Sequence, residues 1–350
     1  MPFNLTSLTR KNVLRLKPYS TARDDFQGNA SIFLDANENP YDTSYNRYPD
    51  PKQKVLRQKI ASLKGAKAEE IILGNGSDEL IDLLFRAFCE PGVDNVIIPQ
   101  PTYGMYSVCA HINDIKTKEP QLTSNFQLDV NDILSQADDK TKLIFLCSPN
   151  NPTGNLHDRE SIHQLLNRFH GLVIVDEAYI DFTDTRGMLE TLNQYPNLVV
   201  LQTLSKAWGL AGLRIGIGFA SEELIQILMM IKPPYNINSS SQTLALQRLE
   251  DNAFYAQCVE NTITEKKELI RQLKNFSFIQ EVFPSDANFI LVRMNDAQSV
   301  YHFLLDKGIV VRDRSSAQGC YNCLRITVGT PEENRMVINE LSNFQKSMTQ

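Results

Sequence analysis

A chain of 350 residues exceeds the usual size of one domain, so two domains on one polypeptide are expected. With 42% apolar residues, 22% charged residues and a formal net charge of −6, the composition is that of a soluble globular protein, and its mild acidity argues against nucleic acid or anionic membrane as a partner. No apolar run approaches the length of a membrane span, and six scattered cysteines fit a reduced, cytoplasmic setting.

The first twenty residues, MPFNLTSLTRKNVLRLKPYS, carry basic side chains but no continuous apolar run, which argues against a secretory signal. The segment before Phe33 lacks a core of its own and is expected to pack on the smaller domain or on a partner chain. EEIILGNG then predicts a strand and a glycine turn, and SDELIDLLFRAFCE a helix. DNVIIPQPTYGMYSVCAHI reads as strand, turn and helix. TKLIFLCSPNNPTG is a strand running into a loop whose two X–Pro bonds are each open to the cis form. ESIHQLLNRFH is a helix, GLVIVDEAYIDF a strand ending in acids, and NLVVLQTLSK and LRIGIGFA are further strands. Continuous apolar strands of this kind are covered on both faces, which means a largely parallel sheet between layers of helices. Past residue 240 a long helical stretch, SQTLALQRLEDNAFYAQCVENTITEKKELIRQLKN, leads to short strands in NFILVRM, GIVVRD and CLRITVG. The expected organisation is a large domain over 33–245 and a smaller α/β domain built from 1–32 and 246–350.

Ligands of open α/β sheets collect at the carboxyl ends of the strands, and polar residues are concentrated there. After IIL come Gly74, Gly76, Ser77 and Asp78, where glycines admit a ligand and a helix start offers free N–H groups to a phosphate. An ordinary capped strand–helix turn has the same look. The dinucleotide fingerprint fails at Glu79, and no Gly-Lys-Ser/Thr exists for VIVDE to serve as a Walker B strand. After LIFLC comes Asn151, an amide at a strand end or a turn residue. After LVIV comes Asp176, with Tyr179 three residues on; the acid either caps a helix or needs a cationic partner. Lys206 enters an apolar, glycine-rich stretch, LSKAWGLAGLRIG, and Arg214 follows eight residues later. A lone lysine in such a place is ordinarily solvated. Here a phosphate cradle, an amide, an acid with a tyrosine, and a lysine near an arginine are together the parts that hold pyridoxal phosphate. Cys89, Cys109, Cys147 and Cys258 read as core fillers. Cys320 and Cys323 form one C-x-x-C without a second pair or a nearby histidine, so no metal is expected there and a redox pair stays open.

The order NPTG, DEAY, SKAWGLAGLRIG resembles the fold-type I, aspartate-aminotransferase-like pyridoxal-phosphate enzymes, whose large domain holds a mostly parallel seven-stranded sheet. LKPYS, LDANENP, RYPDP, GNGSDELIDLLFRAF, PTYGMY, GIVVRD and LRITVGT extend the resemblance nearly end to end to the histidinol-phosphate aminotransferase family. That resemblance implies transamination between histidinol phosphate and 2-oxoglutarate by a homodimer. It makes Lys206 the Schiff-base lysine and Asp176 the partner of the pyridinium nitrogen. Asn151 and Tyr179 would bond the ring's phenolic oxygen, and Tyr103 would stack on the ring. Gly76, Ser77, Asp78, Ser205 and Arg214 would surround the cofactor phosphate, helped by Thr203, with Tyr48 reaching it from the neighbouring subunit. Arg325 and Arg312 would meet the anionic end of the substrate, in a mouth lined by Tyr19 and Asn37. Arg312 paired with its neighbour Asp313 is the bland alternative. Ser77 stands where the family often carries alanine, a mild departure that adds a hydroxyl. A threonine-phosphate decarboxylase, an aromatic amino-acid aminotransferase and a binding module without chemistry are the rival readings.

Overall fold

The computed structural model describes residues 3–17 and 31–348. Seven strands form the larger sheet: β1 (Ile71–Asn75), β2 (Asn95–Ile97), β3 (Lys116–Lys118), β4 (Thr141–Cys147), β5 (Leu172–Asp176), β6 (Leu198–Thr203) and β7 (Ile215–Phe219). Their order is β1-β7-β6-β5-β4-β2-β3. The neighbours from β6 to β3 run parallel, and β7 is antiparallel to both β6 and β1. The mostly parallel sheet is as expected.

Apart from the edge strand β3, its strands are largely apolar because both faces are covered, and the period of two sorts the side chains. Ile144 and Leu146 join one core with Leu56 and Ile60 of the helix Lys54–Lys64 and Leu165 of the helix Arg159–Arg168. Leu143 and Phe145, from the same strand, join the opposite core with Leu80, Ile81 and Leu84 of the helix Ser77–Phe88. Burying each such side chain contributes about 1.5–3 kcal/mol.

A second, antiparallel sheet contains β8 (Ile279–Val282), β9 (Phe289–Met294), β10 (Arg312–Asp313) and β11 (Cys323–Thr327) in the order β10-β11-β9-β8. It has a separate core in which Ile290, Val292 and Leu324 meet Leu269, Leu304 and Leu341 from helices.

Two expectations are corrected here. The helical stretch from residue 241 onward is two helices, Ser239–Arg248 and Asn252–Leu273. The Asp251 side chain accepts from the Phe254 N–H and so starts the second helix afresh. The described N-terminal residues pack on the larger sheet's helices, not on the smaller sheet. Leu8 is buried in the core that holds Leu84 and Phe88, the Arg10 N–H donates to the Ala87 carbonyl, and the Arg10 guanidinium pairs with Glu90 at 3.2 Å.

Candidate active site

The carboxyl ends of β1, β4, β5 and β6 meet the start of β7 around one open cavity of about 530 Å³. At the end of β1, Gly76 takes φ +82°, a left-handed conformation suited to glycine, and releases the chain into the helix Ser77–Phe88. A Cβ on Gly76 would lie 2.6 Å from Arg214 Nη2, so a bare backbone is what lets the guanidinium lie over the turn. Arg214 itself has φ +56°, and its carbonyl accepts from the Gly76 N–H at 2.9 Å. Ser77, Thr203, Ser205 and Arg214 line the same end of the cavity wall as this helix start, and Asp78 sits 3.8 Å from Arg214 Nη2. Tyr103 lines it too and donates from its hydroxyl to Asp78 Oδ1 at 3.1 Å.

Asp176 is buried at the end of β5. Its Oδ2 accepts from the Tyr106 hydroxyl at 2.7 Å and its Oδ1 from the Ala178 N–H at 3.1 Å. Burial raises this carboxyl to about 6, against the pull of those two donors and of Lys206. Lys206 lies just past β6 on the same cavity. Burial lowers its pKa first, the Arg325 charge lowers it further, and Asp176 opposes both. Its Nζ stands 5.6 Å from the centre of the Tyr179 ring. Asn151 bridges to the second sheet: its Nδ2 donates to the Tyr179 hydroxyl at 3.5 Å, and its Oδ1 accepts from Arg325 Nη1 at 2.5 Å. Both X–Pro bonds of the loop carrying Asn151 are cis.

Arg325 is thus brought to the cavity's edge by β11, its guanidinium 5.2 Å from the centre of the Phe289 ring. Arg312 is exposed and lies opposite Arg325 in the β10–β11 register. It makes no ion pair with Asp313, whose carboxylate accepts from Gln298 and Ser315 instead. Asn37 is exposed, at φ +54°, and does not line this cavity. Tyr48 stacks on Tyr235 at 4.5 Å beside a separate groove with Arg47 and Asn238. Tyr19 lies outside the described residues. Cys320 and Cys323 are free, buried thiols packed against Phe126 and Phe283, and among the described residues no group of acids, histidines and cysteines suits a metal ion.

Two residues with a bearing on this site escape a reading of the sequence. Tyr106, fully buried against Phe145, holds Asp176; the only hint is the second tyrosine of PTYGMY. Arg314 follows Arg312 by two positions, and the alternation of a strand would put both on one face.

An α/β chain with a lysine and a buried acid facing one cavity at the carboxyl ends of a mostly parallel sheet has the build of an aminotransferase. Residues 31–341 match the family model of aminotransferases of class I and II, and the chain belongs to that family. It is 52% identical to the histidinol-phosphate aminotransferase of Parabacteroides distasonis over 342 residues, 98% of this chain and 99% of that one. Among solved structures it is similar to the histidinol-phosphate aminotransferase of Clostridium acetobutylicum, with a TM-score of 0.80 and 26% identity over 87% of this chain and 92% of that one. The aspartate aminotransferase of Thermotoga maritima shares the fold, with a TM-score of 0.74 at 22% identity over 86% of this chain and 84% of that one. No helix among the described residues is long and apolar enough to cross a membrane.

Proposed function

We propose that the chain moves an amino group between L-histidinol phosphate and 2-oxoglutarate, giving imidazole acetol phosphate and L-glutamate, with pyridoxal 5'-phosphate as cofactor. The observation that carries this reading is the Lys206 amine sharing one cavity with the buried Asp176 carboxylate, in a chain half identical to histidinol-phosphate aminotransferases along nearly its whole length.

The residues present fit the cofactor. The helix start at Ser77, the bare Gly76 and the Arg214 guanidinium form a cradle suited to a phosphate monoester, and Ser205 and Thr203 add hydroxyls beside it. Asp176, buried and short of a positive partner, suits a protonated ring nitrogen. When bound, pyridoxal phosphate supplies an electron sink for the pair left behind by a departing α-proton. Lys206 Nζ would be the group that holds the cofactor covalently, and its free amine would move the substrate's proton. Its lowered pKa favours the neutral amine that this task needs. Asn151 and Tyr179, bonded to each other on the cavity wall, would hold the ring's oxygen, and Tyr103 would pack against the ring. Arg325 and Arg312 would receive the substrate's anionic end.

The same reading takes residues 33–245 as the cofactor domain, 246–350 as the smaller one, and the cytoplasm as the site of action. It makes the protein a homodimer in which Tyr48 reaches the partner's cofactor phosphate. The test is a set of half-reactions. Purified protein is mixed in turn with histidinol phosphate, threonine phosphate, phenylalanine and glutamate, while the cofactor's absorption and carbon dioxide release are followed. Spectral conversion by histidinol phosphate and glutamate is expected. Carbon dioxide from threonine phosphate, without conversion by histidinol phosphate, would make the protein a decarboxylase.

A further inference from the structure

We propose that Arg314 is a third cation of the substrate's anion site and makes that site select a phosphate dianion over a carboxylate. The inference rests on the aminotransferase reading above and adds a residue to it.

The argument begins with register. Arg312 lies opposite Arg325, and the Arg314 N–H donates to the Cys323 carbonyl at 2.9 Å, which carries the β10–β11 ladder one step further. Alternation then puts Arg312 and Arg314 on one face of the strand, the face that Arg325 shares. Arg325 reaches the cavity's edge, where its Nη1 donates to Asn151 Oδ1. Asp313 alternates to the other face, where Gln298 and Ser315 occupy its carboxylate. Among the described residues, no carboxylate lies within ion-pair distance of Arg312, Arg314 or Arg325. The Nε atoms of both Arg314 and Arg325 are buried without a hydrogen-bond partner. Burial and the other two arginines all lower the pKa of Arg314, so the three guanidiniums feel one another.

Partly buried like charges without counter-ions are costly unless an anion completes them. A carboxylate brings one charge and two oxygens, which one arginine fork satisfies. A phosphate monoester brings up to two charges and three terminal oxygens, enough to occupy three guanidiniums. Arg314 therefore adds little for the carboxylate substrate and much for the phosphate one.

The test uses the cofactor-loaded enzyme and its Arg314→Gln and Arg314→Lys variants. Calorimetry measures the binding of inorganic phosphate and of acetate as probes. Arg314→Gln is expected to weaken phosphate about tenfold or more, the effect of one charge-assisted bond, and acetate several-fold less. Arg314→Lys, which keeps the charge, should recover part of the loss. In the wild type, kcat/KM for histidinol phosphate should fall as the pH drops through the substrate's second phosphate ionisation near ~6, and Arg314→Gln should flatten that fall. Equal losses for phosphate and acetate, or undiminished phosphate binding in Arg314→Gln, would overturn the inference while leaving the aminotransferase reading intact. Arg314-dependent phosphate binding in a wild type that does not transaminate histidinol phosphate would overturn that reading and leave the phosphate site standing.

Discussion

The Tyr106 hydroxyl donates to Asp176 Oδ2 at 2.7 Å, with both side chains buried beneath the cavity. Burial pushes the carboxyl up to about 6, and the tyrosine's bond pulls it back down. Tyr106→Phe removes that donor and leaves only the Ala178 N–H on the carboxylate. The pKa of Asp176 then rises further. The ionised carboxylate is the form that pairs with a ring-nitrogen cation, so in the variant cofactor affinity should fade at a higher pH as acid is added. Loss of a hydrogen bond to a charged group predicts affinity weaker by about 1.5–3 kcal/mol near neutral pH. The measurement is the Kd of pyridoxal phosphate for cofactor-free protein between about pH 5.5 and 8.5, a range that brackets the raised carboxyl. An unshifted pH midpoint would reduce Tyr106 to a packing residue.

Asp176 should also cost the cofactor-free protein stability. Its pKa in the fold is raised from 3.8 to about 6, so the fold favours the protonated acid. The stability this gives is complete below the unfolded value and is lost as the pH rises through about 6. An asparagine side chain at this position would imitate the protonated form at every pH. Asp176→Asn should therefore raise the stability of the cofactor-free protein by about 2–3 kcal/mol at pH 8, with the gain shrinking toward zero near pH 4. The same variant should bind the cofactor weakly and slow turnover by orders of magnitude. Denaturant titrations at the two pH values check the first half. Stability that does not respond to pH would mean the carboxylate is compensated within the fold.

Asn151, Asp176 and Lys206 were legible because each stands at or just past the end of an apolar strand. LIFLC points to Asn151, LVIVD to Asp176 and NLVVLQT to Lys206, and the parallel sheet brings those ends together without any long-range information. Tyr106 was not legible, since its contact with Asp176 spans 70 residues of sequence and depends on how the helix Met105–Ile112 seats against Phe145. Arg314 needed the register of two short strands. The seat of the N-terminal residues turns on one buried leucine and one arginine, too little to read as a pattern. The break at Asp251 carried its own signal, an acid before a helical run, but the apolar periodicity continues through it and masks the restart.

The shared-site reading has its own test. Lys206→Ala should bind pyridoxal phosphate without a covalent link and lose turnover, since positioned proton transfer alone contributes ~100–10,000-fold. Tyr48 lies outside the cavity of its own chain, stacked on Tyr235, which suits a role toward a partner. Tyr48→Phe should then weaken the partner's site. Mixing Lys206→Ala subunits with Tyr48→Phe subunits should rebuild one unimpaired site per heterodimer, so the mixture should exceed the summed activities of its parts. A fully active monomer in sedimentation would end the idea.

The two arginines at the substrate's anionic end should separate by substrate. Arg325 holds Asn151 and lies at the cavity edge, and its charge also lowers the pKa of Lys206. It should matter in both half-reactions, because 2-oxoglutarate returns to the site that histidinol phosphate leaves. Arg325→Ala should cost about 2–3 kcal/mol in transition-state binding for either substrate, the scale of a lost charge-assisted bond. Removing its charge also takes away one influence that keeps Lys206 low, so the pKa of the freed lysine should rise and proton abstraction in the substrate complex should need a higher pH. Arg312 is exposed and stands one strand further out. Its loss should be smaller, screened by solvent, and should fall mainly on the phosphate substrate, whose second charge reaches farther than a carboxylate's one. The measurement is kcat/KM for histidinol phosphate and for 2-oxoglutarate in Arg312→Ala and Arg325→Ala, each across pH. Small and equal losses for both substrates in both variants would mean that the substrate's anion is held elsewhere.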